Sequence, residues 1–191
     1  MTFGDSVYVF AGVQGTPTAY EDYNLRNAAD VSYDSDGSIL MDGEYQSKGN
    51  VVVELPFGSS TFRVITLRNI QGNTSYAPIM WDGKFLDYSI IQRAGSSHKS
   101  RTVIYRLKIS GTTATIKGKV HLALQRGAEY PQFWVQDSVV VQPSNKVRTH
   151  SFFESFQYPS GKVIERVNLS GPDDIWGAVI SVAPSGSHVR K

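Results

Sequence analysis

The chain has 191 residues, 40% hydrophobic and 19% charged, which fits one compact domain or two small ones able to bury about 70% of their unfolded surface. It has no Cys, so disulfide scaffolds, zinc ribbons, thiolate clusters and Cys nucleophiles are excluded. Nineteen Lys and Arg against 17 Asp and Glu give a formal charge of +2, too close to balance to indicate a nucleic-acid or membrane partner by itself.

Met1-Thr2-Phe3-Gly4-Asp5 lacks the basic and apolar regions of a signal peptide, so no export signal is expected. No apolar run approaches the roughly 20 residues of a membrane helix, so no membrane insertion is expected. From there on, period-two and β-branched runs dominate. They predict strands over 6–11, 30–33, 38–41, 50–56, 60–69, 85–92, 101–110, 113–125, 133–142, 147–153, 162–169 and 175–183. One short helix is predicted over 20–29. The strands are punctuated by Asp34-Ser35-Asp36-Gly37, Phe57-Gly58-Ser59-Ser60, Gln142-Pro143-Ser144-Asn145 and Ser170-Gly171-Pro172-Asp173, turn chemistry at the spacing of a sandwich or barrel. No repeat and no linker is visible. The expected fold is all-β: a single antiparallel β-sandwich over 1–191, jelly-roll-like, with at most one short helix.

Charge is unevenly placed along this chain. Residues 1–54 carry nine acidic and two basic side chains, a balance of 2 − 9 = −7. Residues 93–126 carry eight basic side chains and no Asp or Glu. The two segments either balance one another within a monomer or meet between copies, one copy's acidic patch against the next one's basic patch. Within the basic segment, Ser110-Gly111-Thr112 reads as the turn of a hairpin. Strict alternation would put Val103, Tyr105, Leu107 and Ile109 on a greasy face with Ala114, Ile116 and Val120. It would put Arg106, Lys108, Lys117 and Lys119 on one cationic face. Such a ribbon suits a phosphate backbone or an anionic glycan. It also suits a solvated sheet face on which Lys prevents edge pairing.

Twenty-two aromatic residues (Trp 3, Tyr 10, Phe 9) are many for this length. Trp81, Tyr130 and Tyr158 fall in turn-like contexts and are candidate contacts to a partner or a surface glycan. Trp134, Phe153 and Trp176 lie within strand patterns and are expected in the core. The acidic stretches Asp34 to Gly37 and Asp42-Gly43-Glu44 lack the twelve-residue calcium-loop pattern and read as hairpin turns. His98, His121, His150 and His188 are too scattered for a metal site. Gly95-Ser96-Ser97-His98 is not a nucleophile elbow, and no phosphate-binding glycine loop occurs. A glycosidase pair would have to come from carboxylates such as Glu129, Asp137, Glu154 and Glu165, which nothing singles out. No enzyme activity, metal or cofactor is expected.

A chain that is mostly β, Cys-free and aromatic-rich, with Gly, Ser and Asn turns and no catalytic signature, resembles virion structural proteins: a bacteriophage tail or capsid component, or a small viral coat. It departs from many small RNA-virus coats in lacking a basic N-terminal arm. The resemblance implies a structural protein of a virus particle that self-assembles, with itself and other virion proteins as partners, located in the virion after synthesis in the host cytoplasm. The alternative is a carbohydrate- or receptor-binding module. That module would show a groove lined by Trp or Tyr with amide and carboxylate neighbours.

Overall fold

The computed structural model describes residues 5–10, 15–28, 30–45, 49–70, 78–93, 100–122, 132–146 and 150–169. Its strands are β1 (Asp5–Val9), β2 (Thr18–Asp22), β3 (Leu25–Arg26), β4 (Val31–Tyr33), β5 (Ile39–Tyr45), β6 (Gly49–Leu55), β7 (Arg63–Leu67), β8 (Ile79–Trp81), β9 (Leu86–Arg93), β10 (Ser100–Ser110), β11 (Thr113–His121), β12 (Trp134–Gln136), β13 (Val139–Lys146), β14 (His150–Gln157) and β15 (Lys162–Asn168). The fold is all-β and sandwich-like. Among the described residues there is no helix, and so none long and apolar enough to cross a membrane.

The short helix expected over 20–29 is therefore corrected: the segment is the end of β2, a turn and β3. Asp22 Oδ1 accepts the Asn24 amide at 2.9 Å, and Asn27 sits at φ +52. Both are local bonds and conformations by which Asp and Asn compete with a helix. The run 133–142 is two strands, β12 and β13, separated by a turn in which Asp137 takes φ +53. Gln142 to Asn145, read as a turn, lies inside β13. Pro143 is tolerated there because β12 covers only Val139, Val140 and Val141, leaving that edge with no ladder bond for proline to break. The strand expected over 175–183 lies outside the described residues.

The largest sheet runs β3-β5-β6-β7-β11-β10-β9-β8, with β4 also on β5. Its pairings are antiparallel except β7 with β11, which is parallel through Thr66, Leu67, Thr113 and Ala114. The sheet curls until its far ends meet: β4 lies against β8, and the Trp81 amide donates to Ser32 Oγ at 2.8 Å. Leu40, Val52, Ile65, Tyr88, Val103, Tyr105 and Leu107 fill the inside of the curl. Both faces of the middle strands are covered. Ile39, Met41, Val51, Val53 and Leu55 pack on the outside with Val7 and Leu25, so Ile39-Leu40-Met41 and Val51-Val52-Val53 are continuous apolar runs. On another outer face, Ile104, Val120 and Leu122 pack against Phe133, Val135, Val140 and Phe156 of the sheet β12-β13-β14-β15.

Candidate functional site

The basic hairpin forms as expected, turning at Gly111 with φ +57, but its four cations do not share a face. Arg106 pairs with Gly118 and Leu107 with Ile116, so Lys117 is an extra residue, a β-bulge. A bulge shifts the alternation of one strand by one position. Beyond it, Lys119 lies opposite Tyr105, its ammonium 5.0 Å from the ring. Arg106 is on the other side, its side chain lying over Gly118. Lys108, Lys117 and Lys119 are exposed and Arg106 is half-buried. A single cationic ribbon of Arg106, Lys108, Lys117 and Lys119 is therefore corrected to three exposed lysines distributed around a bulge and one internal arginine.

Arg106 belongs to a polar cluster that joins the curled sheet to the smaller one. Its Nη2 donates to Asp82 Oδ2 at 2.9 Å, and its guanidinium lies 4.6 Å from the Phe85 ring and 4.9 Å from the Tyr158 ring. Asp87 stands directly across the ladder from Arg106. The Tyr158 hydroxyl lies 2.7 and 2.8 Å from the two Asp87 oxygens and 3.0 Å from Asp82 Oδ2. The two carboxylates sit in unequal settings. Burial pushes Asp87 up to about 7, against the Tyr158 hydroxyl, while the charge of Asp82 adds to the rise. Burial also acts on Asp82, but the amides of Phe85 and Lys84, the Arg106 guanidinium and the Tyr158 hydroxyl together hold it below the ordinary carboxylate value. One proton arrangement serves the three oxygen-bearing members, with Asp87 neutral and donating to the Tyr158 oxygen, Tyr158 donating to Asp82, and Asp82 ionised against Arg106 Nη2, while the buried Arg106 Nε has no hydrogen-bond partner.

Tyr158 is thus buried and internally bonded instead of offering a free contact ring. Trp81 ends β8 and packs half-buried against the inner core, so it lies in a strand and not in a loop, whereas Tyr158 does begin the β14–β15 turn. Tyr130 lies outside the described residues, as do Trp176 and Glu129. Trp134 and Phe153 are half-buried in β12 and β14. Of the other carboxylates, Glu154 is buried against the Arg166 guanidinium, whereas Asp137 and Glu165 are exposed. Asp34 closes the β4–β5 turn, its Oδ1 accepting the Asp36 and Ser38 amides at 2.9 and 2.8 Å. Asp42 and Gly43 are not a turn but the buried middle of β5.

Among the described residues, the outer edge of the smaller sheet has no strand paired to it. Among the described residues β15 pairs only with β14, and all seven of its residues are exposed. Val163, Ile164 and Val167 are exposed at 40%, 56% and 47%. The strand is held on its inner side by the ion pair from Arg166 to Glu154 and by the stacking of that guanidinium on Phe152 at 4.8 Å. Its outer side presents a row of backbone donors and acceptors with branched apolar residues between them, which is a template for another strand. The sequence marked 162–169 as a strand but carries no sign of which strand ends a sheet. Comparison with known families, curated proteins and solved structures finds no match for the chain.

Proposed function

We propose that this chain is a structural building block of a virus or bacteriophage particle, a capsid, tail or spike component, that assembles by pairing open strand edges between copies. The observation that carries the reading is β15. A seven-residue edge strand with three exposed branched apolar side chains and no proline is unusual for a protein that works alone. The strand carries a bulge at Ile164, since Ser155 pairs with Glu165 and Phe156 with Val163, and its exposed Lys162 and Glu165 give the edge both signs of charge to set against another copy.

The charge pattern supports the same reading. The ion pairs Arg63–Glu54, Arg106–Asp82 and Arg166–Glu154 do not join the acidic first quarter to the basic hairpin, and Lys108, Lys117 and Lys119 point to solvent. Opposed patches of this kind set orientation between copies and make association sensitive to salt. Exposed Tyr8, Phe10 and Phe57 add further apolar contact area.

The test is the mass in solution of wild type beside the double variant Val163→Lys/Ile164→Lys, by light scattering over a concentration series. The wild type is expected to exceed the 21.1 kDa of one chain and the variant to remain at it. Both positions are exposed, so the variant's unfolding midpoint should stay within about 0.5 kcal/mol of wild type. A wild type that stays monomeric at every concentration, or a variant that assembles equally well, overturns the proposal.

A further inference from the structure

The hairpin of β1 and β2 lies on the outside of the curled sheet, where Val7 packs with Ile39, Met41 and Val53. Between β1 and β4 it leaves a groove of about 410 Å³ whose walls include Ser6, Val7, Tyr8, Val31, Tyr33 and Met41. Successive side chains of a strand point to opposite faces, so a groove that touches Ser6, Val7 and Tyr8 together runs along the edge of β1. No described residue of β2 lines it, and among the described residues β1 pairs only with β2. The groove therefore follows the backbone edge that β2 leaves unpaired. Its other wall is the outer face of β4, where Val31 and Tyr33 stand opposite Met41 and Ile39 of β5.

Among the described residues, exposed large hydrophobic side chains are confined to two parts of the chain. Tyr8, Phe10, Tyr23, Val31, Tyr33 and Phe57 belong to the first part, and Val163, Ile164 and Val167 to β15. Tyr8, Val31 and Tyr33, exposed at 62%, 52% and 56%, stand on the two sides of the groove. The two parts also differ in sign. Glu21 stands opposite Ser6 across the β1–β2 ladder, and Asp30 and Asp34 bracket β4 in the chain. The strand β15 carries Lys162 and Arg166 against a single acid, Glu165.

An unpaired strand edge beside an apolar floor suits an added strand, because the ladder takes up its backbone groups and the floor takes its alternate side chains. A second β1 edge would set acid against acid, whereas β15 brings branched apolar side chains and the opposite charge. We propose that the groove between β1 and β4 receives β15 of a second copy, as a strand added to the edge of β1. This rests on the assembly reading and names the surface that β15 meets. The contact is heterologous, edge into groove, so a joined pair keeps one free groove and one free edge and further copies add in a row.

The experiment is light scattering on the full chain as wild type, as the edge variant Val163→Lys/Ile164→Lys and as a groove variant, Val31→Lys/Tyr33→Lys, with circular dichroism checking that the fold is kept. Tyr8→Lys, on the opposite wall, repeats the groove test from a different strand. The wild type should grow past two chains as its concentration rises, and each variant alone should stay at the 21.1 kDa of one chain. An equimolar mixture of edge and groove variants should form pairs and stop there, because only the edge of one and the groove of the other are intact. Groove variants that assemble as the wild type does overturn this inference and leave assembly through β15 standing. A mixture that stays at one chain also overturns it. A wild type that stays at one chain removes the assembly reading and this inference with it.

Discussion

Tyr158 shows how a side chain in a turn-like sequence context becomes a structural tie. Its hydroxyl reaches Asp87, 71 positions away in the chain, and lies between two carboxylates whose proton affinities have been pushed apart. Tyr158→Phe removes that hydroxyl and leaves Asp87 without it, so stability should fall by about 1–3 kcal/mol, read from urea unfolding. The pH dependence follows from Asp87. Its folded-state value of about 7 lies above the ordinary 3.8, so the folded chain holds a proton that the unfolded chain releases between those two pH values. The stability this contributes is complete below about pH 4, declines as pH rises to about 7 and is gone above it, at most about 4 kcal/mol. Asp82, held below its ordinary value, contributes the opposite slope only in more acid solution. Unfolding midpoints between pH 4 and 7 should therefore fall in the wild type and fall much less in Asp87→Asn. Equal slopes would mean that Asp87 is ionised in the folded chain. None of this was legible residue by residue: Asp87 is a lone acid in an apolar strand, and only the register that sets it opposite Arg106 gives it a role.

Elements were far more legible than sites. Alternation located the long strands, because a strand with one or both faces buried must show it in its apolar spacing. The turns at Asp36-Gly37 and Gly111 followed from their need for positive φ, which the structure has at +85 and +57. What alternation missed were β2, β3 and β8, too short to show a period, and the bulge at Lys117, which no spacing announces and which redistributed the predicted cationic face. The β14–β15 turn is held by packing as well as conformation. Gly161 has φ +72, and a Cβ there would stand 2.3 Å from the His121 carbonyl oxygen at the end of β11. Gly161→Ala should cost about 3 kcal/mol or more by combining left-handed strain with a backbone clash. A thermal melt checks it, and the matched change at Gly58, where φ is +76 with open space around it, should cost less.

At the scale of the whole molecule, a curled sheet buried on both faces and a smaller sheet docked on its outside leave two unfinished places. Among the described residues, one is the seam where β4 meets β8 without a ladder, and the other is the outer edge of β15. A formal total of +2 conceals an acidic first quarter and a basic hairpin. The central proposal is that copies of the chain complete one another through such edges. Hydrogen exchange tests it most directly, because alternate amides of β15 point away from β14 and have no strand partner among the described residues. Measured across rising protein concentration, exchange over 162–168 should slow as copies pair, while β10 and β11 keep the same protection throughout. Exchange in β15 that stays fast at every concentration would contradict assembly through this edge.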